Sequence, residues 1–184
     1  LQGRFPQIGG VSFSWDPDLA PGGRVRDIAL VDGAGRSYTL YDDGVLQAGA
    51  PAAITVVTLN FLANGGDGYP AKANGSNFRY LLNDGTLSAP VDEALVFTDP
   101  AVIASFTPAG AALLGEQQAL AEFMQEFHPT QETAFDVADT PDTLDERIQN
   151  LNVRADTVLA DVSDAPVLSG PIVLPGSAAD AVRT

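Results

Sequence analysis

Val11-Ser12-Phe13-Ser14-Trp15 alternates apolar and polar side chains, the period of a half-buried strand, and Asp16-Pro17-Asp18 supplies the turn that ends it. Val11, Phe13 and Trp15 then share a face, so core packing is the expected role of Trp15. A second strand is predicted over Val25–Val31, closed by Asp32-Gly33-Ala34-Gly35, with a hairpin partner over Ser37–Tyr41 that Asp42-Asp43-Gly44 ends. Val45 to Pro51, rich in Gly and Ala, reads as a connection. It leads into Ile54-Thr55-Val56-Val57-Thr58-Leu59, β-branched and apolar, the pattern of a buried central strand.

Directly behind that strand stands Asn60-Phe61-Leu62-Ala63-Asn64-Gly65-Gly66-Asp67-Gly68-Tyr69-Pro70. Its glycines impose a sharp change of direction and bare the backbone around a single aspartate. Two roles stand open for Asp67: a turn residue that hydrogen-bonds its own backbone, or a carboxylate offered to a ligand. Phe61 is likewise either a core phenylalanine at a strand end or an aromatic face for a ligand.

Further on, Phe78–Leu82 is a short apolar segment ended by the turn signal Asn83-Asp84-Gly85, and Thr86–Pro90 and Val91–Phe97 read as extended. Glu116–Phe127 is the clearest helix: Leu120, Phe123, Met124 and Phe127 recur at i, i+3, i+4, i+7, a core-facing stripe, and Pro129 stops it. His128 lies at the helix C-terminus, where capping is the expected role. Asp136, Asp139, Asp142 and Asp145 recur every third residue. That spacing departs from the EF-hand loop, and an acidic turn leading into a short helix over 144–151 is preferred to a calcium site. The frequent prolines and glycines after Asp161 suggest a linker or the start of another module. The predicted organisation is one domain over 1–159, extended from about residue 71, and a linker over 160–184.

The chain of 184 residues has room for one domain with a real core. Its net charge of −15 speaks against nucleic-acid binding and against attraction to anionic membranes, and no apolar run is long enough for a spanning helix. Cysteine is absent, which excludes disulfides, thiolate nucleophiles and thiolate metal sites in this chain. The start Leu1-Gln2-Gly3-Arg4 is neither a signal peptide nor an initiator methionine, so a fragment is expected.

The string Asn60 to Tyr69, preceded by Gly3-Arg4-Phe5-Pro6-Gln7-Ile8-Gly9-Gly10, Trp15-Asp16-Pro17 and Pro21-Gly22-Gly23-Arg24-Val25, resembles the C-terminal domain of the 5'-nucleotidase family, which includes UDP-sugar hydrolases and 2',3'-cyclic phosphodiesterases. The resemblance is strong over about residues 2–70 and looser over 71–159. It implies an α+β fold, a mixed or antiparallel sheet packed against one or two helices. It also implies that Phe61 stacks on a nucleobase, that Asp67 accepts hydrogen bonds from ribose hydroxyls, and that Asn64, Gly65, Gly66 and Gly68 shape the same nucleotide-binding surface. Phe61 and Asp67 are therefore expected to line one concave face. The chemistry suits the residue types: an aromatic face stacks on a base for about 1–3 kcal/mol, and a carboxylate makes charge-assisted hydrogen bonds to hydroxyls.

Hydrolysis in that family uses a divalent metal pair in a separate N-terminal metallophosphoesterase domain. With one histidine and no Asp-x-His, Gly-Asn-His or His-x-His string, the present chain lacks the residues for such a site. It reads as the substrate-binding part of an extracellular or periplasmic phosphoesterase and as inactive alone. A non-catalytic binding or scaffold module is the alternative. By the resemblance the chain starts inside the domain, and strands 11–15 and 25–31 are then expected to lack neighbours and to favour self-association.

Overall fold

The structure, a computed structural model, describes residues 7–31, 37–91, 101, 104–105, 107–134, 140–160 and 162. The expected turn at 32–35, the extended stretch over 91–97 apart from Val91, Asp136, Asp139 and nearly all of the segment after 160 lie outside the described residues. The described residues up to Thr55 and those from 140 onward form one unit, and those from Val56 to 134 form another.

The first unit is a five-stranded mixed sheet in the order β4-β3-β2-β1-β5. β1 (Val11–Trp15) pairs antiparallel with β2 (Val25–Val31), which pairs antiparallel with β3 (Ser37–Asp42). Asp16 opens the β1–β2 connection as expected of an Asx turn, its Oδ1 accepting the Asp18 N–H at 2.9 Å. Asp43 (φ 47°) and Gly44 (φ 79°) are both left-handed, the signature of a type I′ hairpin, and join β3 to the two-residue β4 (Val45–Leu46).

Register places Tyr41, Ile28, Phe13 and Ile148 in one row across the sheet. Asp27, Ser14 and Gln149 are paired across the neighbouring row, on the opposite face. All three of these polar residues are buried, Ser14 completely (0% exposed), whereas Val11, Phe13 and Trp15 are only half-buried. The alternation thus locates the strand but not its better-covered face. Chain from beyond β5 reaches the polar side, where Ser14 Oγ accepts the Val158 N–H at 2.9 Å.

Two expectations are corrected in this unit. The segment 144–151 is not helical: Ile148–Asn150 forms β5, parallel to β1. Asp145 Oδ1 accepts the N–H groups of Arg147 (2.8 Å) and Ile148 (3.0 Å), an Asx turn that competes with helix, and Phe13 N–H bonds to the Arg147 carbonyl. Strands 11–15 and 25–31 do not lack neighbours, since each is flanked on both sides.

A third correction concerns 54–59. This stretch is no strand, and Ile54, Val56, Val57 and Leu59 are exposed. The sheet order β4-β3-β2-β1-β5 does not include it.

The second unit carries the helices α1 (Asn60–Ala63), α2 (Ala71–Asn74) and α3 (Glu116–Phe127). Its core is small: Tyr80, Leu82 and Val91 are buried together, with Phe78, Ala111 and Leu113 packed on them. Ser88 organises this core, its N–H bonding to the Tyr80 carbonyl at 3.0 Å while its Oγ accepts the Tyr80 N–H at 2.9 Å. The turn at 83–85 behaves as its residues indicate, with Gly85 at φ 80° and its N–H on the Leu82 carbonyl. α3 spans the predicted residues, but none of them is buried, and Leu120 is 61% exposed. Its apolar stripe stays largely exposed; Phe123 meets Phe127 and His128, with ring centroids 5.0 and 5.5 Å apart. Together, a mixed five-stranded sheet and few helices make the fold α+β, as expected.

Candidate functional site

α1 is a single turn. Its first residue, Asn60, offers a carbonyl that accepts both the backbone N–H (3.0 Å) and the side-chain amide Nδ2 (3.1 Å) of Asn64. Asn64 is therefore the structural terminator of α1, which orphan carbonyls at a helix end require. The chain then enters the left-handed region at Gly65 (φ 92°), returns at Gly66, and re-enters it at Asp67 (φ 54°) and Gly68 (φ 81°). Bonds from Gly68 N–H to the Gly65 carbonyl (3.1 Å) and from Tyr69 N–H to the Gly66 carbonyl (3.1 Å) close the turn.

Asn60, Phe61, Asn64, Gly65 and Gly66 line an open depression of about 570 Å³. The Phe61 ring, 56% exposed, lies against the Gly66 backbone. A Cβ at position 66 would come within 2.6 Å of two ring carbons and of the Phe61 carbonyl oxygen. Glycine at 66 is thus what lets the ring occupy this place, whereas glycine at 65 is required by its positive φ.

Asp67 and Gly68 are exposed and follow immediately in the chain, but they are not among the residues lining the depression. The structure accordingly brings together Phe61, Asn64, Gly65 and Gly66, and sets Asp67 on the adjoining turn. The Asp67 carboxylate makes no hydrogen bond or ion pair with the described residues, so it is not the self-bonded turn aspartate. Its left-handed backbone is uncommon outside glycine, although aspartate tolerates it best with asparagine, and such strain is of the order of 1–3 kcal/mol. An exposed aromatic face and a carboxylate with no partner among the described residues can together accept a flat ring and hydroxyl donors.

Asn60 joins the lining without having been singled out from the sequence. Its i, i+4 relation to Asn64 on one helical turn was the available signal. His128 stands apart from all this: it is the C-cap of α3, and its Nδ1–H donates to the Thr133 carbonyl at 2.6 Å. Asp142 and Asp145 are likewise remote in chain from α1, and Asp145 is engaged with the backbone at β5.

Residues 1–74 match the family model of the 5'-nucleotidase C-terminal domain. The likeness to that family is carried by this stretch. The match ends at the last residue of α2, so Phe61, Asn64, Gly65, Gly66, Asp67 and Gly68 all lie inside it, while the Tyr80–Leu82 core and α3 lie beyond. The 5'-nucleotidase C-terminal domain is the substrate-binding part of 5'-nucleotidases, so residues 1–74 are similar to part of a hydrolase. No curated protein and no solved structure matches the chain.

Proposed function

We propose that α1 and the glycine turn behind it hold the nucleoside part of a nucleotide for a secreted or periplasmic phosphoester hydrolase. Phe61 stacks on the base, and Asp67 takes hydrogen bonds from the ribose hydroxyls. The reading is carried by the Phe61 ring, which is more than half exposed over a glycine backbone in a family whose C-terminal domain binds nucleotide substrates. A base stacked on the exposed face of such a ring contributes about 1–3 kcal/mol.

The chemistry itself is assigned to a divalent metal pair in an N-terminal metallophosphoesterase domain, because a two-metal clamp needs several His and Asp ligands and this chain has one histidine. Calorimetric titration of the chain with adenosine and with uridine tests the binding half. Saturable binding that Phe61→Ala weakens is expected; no binding, or equal binding by Phe61→Ala, would sink the proposal. The chain alone, supplied with divalent metal, is expected not to release phosphate from AMP, and robust turnover would overturn the assignment of the chemistry.

A further inference from the structure

Residues 51–58 are the longest run of described residues whose backbone makes no hydrogen bond, and from Ala53 to Leu59 no helix, strand, turn or bend interrupts the chain. Every residue from 52 to 60 is exposed, Val57 at 74%. The chain passes from the first unit to the second inside this run, between Thr55 and Val56. The exposed stretch at 111–114, likewise uncharged, differs in its backbone: Ala111 N–H bonds to the Pro108 carbonyl, Ala112 N–H to Asn83 Oδ1 and Leu114 N–H to the Leu81 carbonyl. An endopeptidase takes its substrate as an extended strand, pairing with free N–H and C=O groups while alternate side chains enter its pockets. A segment that is already bonded must first be opened, whereas residues 53–59 are presented as they stand.

We propose that residues 53–59 are a proteolytic processing site for an endopeptidase whose primary pocket accepts small aliphatic side chains. The side chains select that class: 52–59 reads Ala-Ala-Ile-Thr-Val-Val-Thr-Leu, with no charged or aromatic residue, and no Lys or Arg stands between Arg36 and Lys72. No proline lies between Pro51 and Pro70 to block a scissile bond. Water is the one co-reactant: its hydroxyl joins the carbonyl carbon, the C–N bond breaks, and the leaving nitrogen takes the proton. Cleavage puts β1 to β4 on one fragment and β5 on the other. The two stay together, because β5 pairs with β1, Phe13 N–H bonds to the Arg147 carbonyl (2.9 Å), Leu151 N–H to the Trp15 carbonyl (3.0 Å) and Val158 N–H to Ser14 Oγ (2.9 Å).

The inference stands apart from nucleoside binding, since none of residues 53–59 lines the Phe61 depression. Limited digestion of the chain with an elastase, mapped by mass spectrometry, is expected to cut between 53 and 59. Native size-exclusion chromatography should then return both fragments in one peak, which urea splits. Trypsin separates backbone freedom from exposure. Val57→Arg places a tryptic site in the run, and Val45→Arg places one on β4, which is comparably exposed (62%) but paired with β3. Nicking at 57 is expected to be at least about tenfold faster than at 45, because the paired strand must open first. No elastase cut between 53 and 59, equal tryptic rates at 57 and 45, or fragments that part under native conditions would each overturn the inference.

Discussion

The sheet unit and the helical unit cover their elements differently, although both leave large apolar side chains exposed, Val45, Leu46 and Leu144 in the first among them. β3, β2 and β1 each have a strand on either side, and even the polar residues between them, Ser14, Asp27 and Gln149, are buried. In the other unit few described residues are buried, Tyr80, Leu82 and Val91 in the core with Ser88 and Ala63 besides, while Val56, Val57, Phe61, Leu120, Phe123 and Phe127 face solvent. The residues proposed to meet a ligand, Phe61 and Asp67, belong to the second unit. A part whose own contacts are few is held by whatever binds it, which is where local stability is lowest and function concentrates.

That contrast is most directly broken at Leu82. This side chain is 0% exposed at the centre of the small core, so Leu82→Ala should cost about 2–5 kcal/mol in urea unfolding. Leu120→Ala, on the exposed stripe of α3, should change stability by no more than about 0.5 kcal/mol. Equal losses would mean that α3 packs in solution and that the exposed stripe is covered.

The site sharpens the same comparison through substrates. In a full enzyme carrying this domain, Asp67→Ala should raise KM for nucleotides by the equivalent of about 1.5–3 kcal/mol while sparing a phosphoester without ribose. Phe61→Ala should weaken nucleotides by about 1–3 kcal/mol and spare ribose phosphate, which has no base. Uniform losses across these substrates would make both residues supports of the fold. Gly66→Ala asks whether ring placement matters: the new Cβ meets the Phe61 carbonyl as well as its ring, so the ring alone cannot move aside. A stability loss of about 1–3 kcal/mol is expected, with weaker nucleoside binding in calorimetry. Parent-like affinity in Gly66→Ala would separate the ring position from recognition.

β1, β2 and β3 were legible in the sequence because alternation and turn residues agree there: Asp16-Pro17 and Asp43-Gly44 end strands exactly where the pattern lapses. The stretch 54–59 and α3 were legible as apolar patterns but not as buried elements. Periodicity states what a segment would bury, not whether a neighbour is present to bury it. β5 was hidden because three residues show no period, and its placement depends on Phe13 N–H meeting the Arg147 carbonyl from far along the chain. Phe61 and Asp67 could be read only through the family string; spacing alone leaves a phenylalanine and a turn aspartate. The clash between a side chain at 66 and the Phe61 ring is a through-space fact with no signal in the sequence.

The smallest expected effect lies back in the sheet unit. Arg154 grips Asp156 through Nε at 2.8 Å and through Nη2, while its Nη1 donates to the Asp145 carbonyl at 2.8 Å, at the entrance to β5. The hydrogen bond from Arg154 holds the Asp156 carboxyl below its usual value of 3.8. A depressed folded value means that the unfolded chain takes up the proton first as pH falls. The stabilisation is therefore fully present above 3.8 and is lost as pH drops through the lower folded value. Asp156 is exposed, so the contribution is screened and small. Asp156→Asn should leave thermal stability at neutral pH nearly unchanged, flatten slightly the decline of stability below that value, and lose even this difference in high salt. An acid limb identical to that of the parent at low salt would show that Arg154 holds the β5 entrance without help from the Asp156 carboxylate.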